Sequence, residues 1–504
     1  MNQNNISAAE LFLRVRELLI LPELEPKTRN KMMHDTLILC CHEGVKETKQ
    51  AFGNLFSQVD YLCKAHGIKV ADKIAIQTMR RHSNSQEPLS SEDLKYDARA
   101  LAIFISAVFG VDVPHELNVL IPHTNRPYQK GLEINNRRIR CIVKNWDSDF
   151  IRVDIDQDAD EEEYLVQLKD EENHIDHTYL WDILKEGMQL NLLDCQVKQP
   201  VITPRLIVVE PDYLVDISSI ATCFTAFGHH PLLYLLNQMK PRANTQATLL
   251  GNFAGAALDD IINTNGKYQM NETIKTNFRE KALEFCTCPW FDAKKFYTDA
   301  NQQAFNLQQV VDILFPRTAS QAQMSAFRGE SLYDRKKAIL EPSFVCEALG
   351  IQGRVDLMTT DCKLLVEQKS GRNMNIETHQ VDPAYHSYQL EPHYVQLLLY
   401  YGVLQHNFKL SNDRVNIRLL YSKYQPQDGL MVVAYYQKLF KEAIEYRNQL
   451  VAASFEIAKE GFEHALNEFT PEVLNVAGTQ DFFYNKYLKP QIEAITSPLH
   501  NLTP

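Results

Sequence analysis

The sequence predicts an α+β multidomain fold, and three changes of texture along the chain predict it. Residues 1–125 carry apolar side chains at helical spacing. Residues 126–229 break into short runs that alternate apolar and polar side chains. Residues 230–469 mix the two patterns. The 504 residues, 45% hydrophobic and 23% charged, are enough for several cores and fit a globular composition. The net charge of −12 argues against a protein that coats nucleic acid indiscriminately, so positive charge for such a partner would have to be local.

In the first region, Ala8–Ile20, Lys46–Lys64 and Glu92–Phe109 read as helices, with a Ser/Asn/Pro-rich loop over His82–Ser91. Arg80-Arg81-His82 reads as a solvated helix end rather than a phosphate contact. The opening residues lack a basic stretch followed by an apolar core, so no signal peptide is expected. Ala100–Val113 is too short to span a bilayer. A cytoplasmic protein without membrane contact is therefore expected. The ten cysteines include no Cys-x-x-Cys pair, so reduced structural thiols are expected rather than a zinc site.

In the second region, Arg140–Lys144, Phe150–Ile155, Tyr164–Leu168, Leu190–Val197, Leu206–Val209 and Tyr213–Ile217 read as six strands, with a helical insert at Tyr179–Lys185. The pattern resembles an OB-like β-barrel. Arg138, Arg140 and Lys144 lie close to Trp146, a combination suited to single-stranded DNA, or equally to an ordinary surface strand. The acidic run Asp154–Glu163 lacks the Gly-centred spacing of a calcium loop and reads as a solvated turn.

In the third region, helices are expected at Gln246–Asn263 with Thr245 as cap, Ile274–Phe285, Asn306–Leu314, His393–Leu404 and Val433–Phe469. Asn416–Ser422 reads as a strand. Arg354–Thr360 and Lys363–Ser370 read as a hairpin turning at Thr360-Asp361-Cys362. Alternation along a strand puts Glu367 and Lys369 on one face and Gln368 on the other, with Asp356 opposite Val366 and Glu367. Two carboxylates and an ammonium then converge. Hard carboxylate oxygens suit Mg²⁺ or Mn²⁺, and a nearby lysine suits stabilisation of a negative transition state. A surface hairpin with a Glu–Lys pair is the plainer alternative.

As a set, Asp356, Glu367-Gln-Lys369 and the following Ser-Gly resemble the PD-(D/E)xK nucleases, in particular their RecB-like exonuclease branch. Gly353-Arg-Val-Asp356 is similar to the branch's Gly-x-x-Asp entry to the hairpin. His393-Tyr-Val-Gln396-Leu-Leu-Leu-Tyr400 is similar to its His-x-x-Gln-x-x-x-Tyr helix. Leu250–Asp260 is similar to its first helix, except that Gly255 stands where the branch carries histidine. The resemblance covers roughly residues 245–425.

The resemblance implies a PD-(D/E)xK core with a mixed sheet flanked by helices, and metal-dependent cleavage of DNA, at single strands or ends. It implies Asp356, Glu367 and the Gln368 carbonyl as metal ligands, with Asp259 or Asp260 as possible substitutes for the missing histidine. Lys369 would activate water, and Gln396 and Tyr400 would position substrate. Arg354 reads equally as a DNA phosphate contact or a surface salt bridge, and His393 equally as a DNA contact or a helix-start histidine. No cysteine follows Cys362, so no iron–sulfur cluster is expected. No Gly-x-x-x-x-Gly-Lys-Ser/Thr loop occurs, so no ATP site is expected in this chain. The order of regions resembles the N-terminal half of nuclease–helicases. Residues 470–504 then read as a tail or linker, with a helicase motor beyond Pro504 or in a partner. The alternative is a degenerate nuclease fold that guides single-stranded DNA to such a motor.

Overall fold

A computed structural model describes residues 6–21, 23–48, 50, 52–85, 88–126, 137–155, 163–225, 228–239, 244–383, 385–410 and 414–461, with residues 464, 484–485 and 489–496 besides. The chain is α+β and divides into two units: residues 1–213 with 455–460, and 214–454 with 461–504. Among the described residues no helix is long and apolar enough to cross a membrane. None of the ten cysteines forms a disulfide.

The first unit opens with helices α1 (Ala8–Ile20), α2 (Pro26–Val45), α3 (Leu55–Ala65), α4 (Val70–Asn84), α5 (Ser91–Phe109) and α6 (His115–Asn118). Each boundary has a local cause. Ser7 caps α1 by accepting from the Glu10 N–H. Ser90 and Asp93 form a capping box on α5, which ends at left-handed Gly110. Leu11, Phe12, Val15 and Leu18 form the buried stripe of α1 and share a core with Leu37, Leu101 and Phe104. The Lys46–Lys64 expectation is corrected: the helix starts only at Leu55, after an Asn54 cap whose side chain accepts from the Ser57 N–H. Helices α2 and α4 add to the helices expected in this region, and α4 runs on through His82–Asn84, which were expected in the loop. Arg80 is buried, bonded to Gln77 and stacked over Phe56, and His82 pairs with buried Asp97, so this segment is not a solvated helix end.

The β region follows: β1 (Arg138–Trp146), β2 (Phe150–Ile155), β3 (Tyr164–Gln167), β4 (Lys169–Asp170), β5 (Ile175–Asp176), β6 (Gln189–Leu193), β7 (Gln196–Lys198), β8 (Val201–Thr203) and β9 (Leu206–Val209). Seven of them form one sheet in the order β7-β8-β3-β2-β1-β6-β9. Among the described residues this sheet is open rather than a closed barrel. Closure requires the two outermost strands to pair, and here β7 and β9 each pair with a single neighbour. The Tyr213–Ile217 run is also not a strand of this sheet. Its β10 (Val215–Asp216) pairs in parallel with Ile351–Gln352 of the second unit. Residues 156–162 of the acidic run lie outside the described residues.

In the second unit, α7 (Ile217–Ala221), β11 (Phe224–Thr225), β12 (Gly228–His229) and α8 (Leu232–Met239) precede α9 (Gln246–Asn263). Thr245 caps α9 by accepting from the Thr248 N–H. Helices α10 (Met270–Glu280), α11 (Ala282–Thr287), α12 (Ala293–Leu314) and α13 (Ala319–Phe327) follow. Strands β13 (Ala338–Leu340), β14 (Ser343–Cys346), β15 (Ile351–Arg354), β16 (Leu357–Thr359) and β17 (Leu364–Lys369) then lead to α14 (Met374–Thr378) and α15 (Glu391–Phe408). Then come β18 (Asn416–Tyr421), α16 (Pro426–Gly429), β19 (Leu430–Val432), α17 (Gln437–Glu460) and, within the stretch expected as a tail or linker, a further helix α18 (Lys489–Thr496). Helix α17 is shorter than expected at both ends, and residues 462–463 and 465–470 lie outside the described residues.

The main sheet runs β13-β16-β17-β18-β19, with β17 and β18 parallel and the other pairs antiparallel. Leu364, Val366 and Leu420 join the core built on α9 and α12. Alternation sends Leu365, Glu367 and Lys369 to the opposite face, where α15 packs against β18. The sheet is thus mixed and flanked by helices.

Candidate functional site

Asp356 stands at a seam. The strand before it, β15, belongs to the β10-β15-β14 sheet, and the strand after it, β16, belongs to the main sheet. Neither ladder claims Asp356, so its carboxylate is free to turn toward β17. Its Oδ2 accepts from the main-chain N–H of Gln368 at 2.6 Å. The pairing of Leu357 with Val366 sets this register. Left-handed Cys362, whose N–H donates to the Thr359 carbonyl at 2.8 Å, makes the turn. Asp356 therefore faces the β17 segment that the strand periodicity indicates.

Glu367 is 2% exposed. Its Oε1 accepts from Lys369 Nζ at 2.7 Å, while Oε2 is buried with no hydrogen-bond partner. Burial, then the negative charge of Asp356, push the Glu367 carboxyl up to about 8. Burial likewise raises Asp356. Gln368 points the other way, and its Nε2 donates to the buried Ser422 hydroxyl at 2.6 Å. That hydroxyl donates to Gln303 of α12 at 2.5 Å. The main-chain carbonyl of Ser370 accepts from the same Gln303.

Helix α15 closes over the face that carries Glu367 and Lys369. Tyr400 Oη donates to the Arg354 main-chain carbonyl at 2.6 Å, at the entry to the Asp356 seam. Gly353 permits this approach, because a Cβ there would stand 2.9 Å from Tyr400 Cε1. Tyr400 is raised by burial and by Glu367 and Asp356, so it stays a neutral donor. Gln396, buried one turn earlier, bonds to it. The Nδ1 of His393 lies 3.0 Å from Tyr421 Oη, and burial with the nearby Lys369 charge lowers His393 to about 3. A neutral ring bonded to tyrosine is a poor phosphate contact.

The two candidate acids of α9 separate. Asp260 is exposed toward α10, and its Oδ2 accepts from the Thr273 hydroxyl. Asp259 is pushed up to about 6 by partial burial and by the charges of Glu341 and Asp356, which places it on the hairpin side. Gly251 and Gly255 share that face at one-turn spacing. A Cβ at Gly251 would meet Ser370 Oγ at 3.2 Å, whereas a Cβ at Gly255 would meet nothing within 4 Å.

Glu341 is the acid that sequence reading missed. Its backbone is left-handed at φ 48°, its N–H donates to the Asp356 carbonyl at 3.0 Å, and its Oε2 pairs with Arg354 Nη1 at 3.0 Å. The acid in Leu340-Glu-Pro342, between two apolar runs, was the only signal. Only the pairing of β13 with β16 and β14 with β15 brings it next to Asp356.

In the first unit, the expected basic strand is charge-compensated. Arg140 pairs with Asp212 through Nη2 at 2.9 Å, Lys144 pairs with Asp154 at 2.6 Å, and Arg138 also has a partner. Trp146 packs against the sheet's apolar core rather than standing free.

Asp356 and Glu367 together could hold a divalent cation. The orphaned Glu367 Oε2 is the feature that fits one, since a buried carboxylate oxygen without a partner is costly. Among the described residues no three His, Cys, Asp or Glu side chains converge closely enough to hold a metal ion by themselves. The carboxylates of Asp356 and Glu367 are the side-chain ligands available. No protein-family model matches the chain, and no curated protein matches it.

Proposed function

We propose that this chain is a divalent-metal-dependent DNA nuclease with a PD-(D/E)xK core, acting on single strands or ends. The observation that carries the reading is the buried Glu367 carboxylate, with one oxygen on Lys369 and the other unpartnered, beside Asp356. In this reading Asp356, Glu367 and the Gln368 carbonyl hold Mg²⁺ or Mn²⁺. The bound ion would polarise the phosphoryl group and supply a water of lowered pKa.

The chain's own residues do the rest. Lys369 Nζ, fixed by Glu367, orients the attacking water or offsets charge on the phosphoryl oxygens. Tyr400 and Gln396 hold the Arg354 carbonyl, and through it the seam that aims Asp356. Arg354 reaches phosphate by exchanging its Glu341 partner. Arg140 and Lys144 of the open, OB-like sheet would contact a strand only by a similar exchange.

The test is cleavage of end-labelled single-stranded and duplex DNA with Mg²⁺ or Mn²⁺. Wild type is expected to cut, while folded Asp356→Ala and Lys369→Ala bind DNA and leave it intact. Absence of cutting by wild type with either ion would refute the reading.

One observation favours a second reading. The open space over Gly255 and the absence of a third convergent ligand side chain among the described residues suit a non-cleaving module that guides single-stranded DNA to a partner motor. It predicts DNA binding without any metal-induced stabilisation.

A further inference from the structure

The parallel strands β17 and β18 end side by side, with Lys369 paired to Tyr421. Both exits are anchored from within. The Ser422 N–H donates to the Lys369 carbonyl at 2.9 Å, and Gln303 Nε2 donates to the Ser370 carbonyl at 3.0 Å. Just past these anchors, each exit carries a cation: Arg372 beyond β17 and Lys423 beyond β18. Their side chains are 62% and 43% exposed.

Both cations share one carboxylate. Arg372 Nε bonds Glu377 Oε2, and Lys423 Nζ lies 3.3 Å from Glu377 Oε1. Tyr424 Oη donates to the same Oε1 at 2.9 Å and accepts from the Asn373 N–H at 2.8 Å, which fixes the cluster's floor. Two positive charges on one negative leave a surplus of one, in a chain whose net charge is −12. Arg372 follows Lys369 by three residues, at most about 11 Å of extended chain. In sheets with parallel strands, ligands gather at the carboxyl ends.

We propose that Arg372 and Lys423 form a phosphate-binding subsite for the backbone of a single DNA strand beside the Lys369 site, with Glu377 holding the two cations in place until phosphate displaces it. The subsite rests on the nuclease reading. It binds a phosphate neighbouring the one at the carboxylates and takes no part in the chemistry. A guanidinium and an ammonium held on one carboxylate suit the anionic groups of a strand, and contacts of this kind position a strand without reading its sequence.

The test is fluorescence anisotropy of a labelled single-stranded oligonucleotide with the full chain in EDTA, across a salt series. Arg372→Ala/Lys423→Ala is expected to weaken binding by about 10-fold or more. It should also flatten the log-affinity against log-salt slope by about 1.4, the value for two phosphates on a single strand. Lys423→Gln, at an exposed side chain, should flatten it by about 0.7. Glu377→Gln, which removes the competing carboxylate, should tighten binding. Wild-type affinity and slope in both cation variants would overturn the subsite while leaving cleavage by wild type with Mn²⁺ intact. Failure of wild type both to bind and to cut would overturn the nuclease reading and the subsite together.

Discussion

The main-chain N–H of Gln368 donates to Oδ2 of Asp356 at 2.6 Å. This bond anchors the carboxylate of an acid that neither sheet claims to the backbone of β17, one residue from Glu367 and one from Lys369. It also lowers the Asp356 carboxyl, opposing the larger effect of burial.

Burial and the neighbouring Asp356 disfavour the ionised form of Glu367, and Lys369 engages only one of its oxygens. Glu367→Gln removes the cost of burying an ionisable carboxyl there and keeps an acceptor for Lys369. It is expected to stabilise the metal-free protein by about 2 kcal/mol, raising Tm by roughly 5 °C, while abolishing cleavage. Mn²⁺ should raise the Tm of wild type and leave the variant unmoved. Differential scanning fluorimetry with and without Mn²⁺ checks both.

Gly353 lies under Tyr400, with an added Cβ 2.9 Å from Cε1, 3.1 Å from Oη and 3.2 Å from Ile217 Cδ1. Gly353→Ala is expected to cost about 1–3 kcal/mol through overpacking. It should lower kcat more than it raises KM, because the displaced tyrosine releases the Arg354 carbonyl and with it the Asp356 seam. Urea unfolding and steady-state cleavage would report the two effects separately.

His229 is clamped between carboxylates. Nδ1 lies 2.7 Å from Glu442 of α17, Nε2 bonds Glu391 at the start of α15, and Tyr385 Oη donates to Glu391 at 2.6 Å. Burial alone would lower its pKa, but the two glutamates prevail and raise it from 6.5 to about 9. A histidine raised in this way contributes stability that is full below 6.5 and lost as pH climbs through about 9. Wild-type Tm should therefore fall by several degrees over that window. His229→Gln, less stable at pH 6.5, should show a flatter profile. Parallel profiles for the two proteins would refute the clamp.

Gly255 shares a helical face with Gly251 and Asp259, and its side-chain direction is open. Gly255→His should keep the fold and gain a few tenths of a kcal/mol from helix propensity. It should also tighten Mn²⁺ binding several-fold, read by isothermal calorimetry. Unchanged affinity would mean that this face does not look onto Asp356 and Glu367.

The sequence by itself determined the local elements and the order of the motif. Ser7, Thr245 and the Ser90–Asp93 box mark helix starts because their side chains satisfy N–H groups that no carbonyl reaches. Strand alternation put Glu367 and Lys369 on one face and Gln368 on the other, since that follows from backbone geometry alone. Tertiary structure decided whatever depended on partners distant in the chain. Among the described residues it left the seven-stranded sheet open, because strands that read as a barrel carry no local record of whether the last pairs with the first. It sent Val215–Asp216 to Ile351–Gln352, a contact between segments more than a hundred residues apart. It compensated Arg140 and Lys144 with Asp212 and Asp154, brought Glu341 to Asp356, and separated Asp259 from its neighbour Asp260. Charge pairing and burial are properties of packed surfaces, so the residues could be named from sequence while their electrostatic states could not.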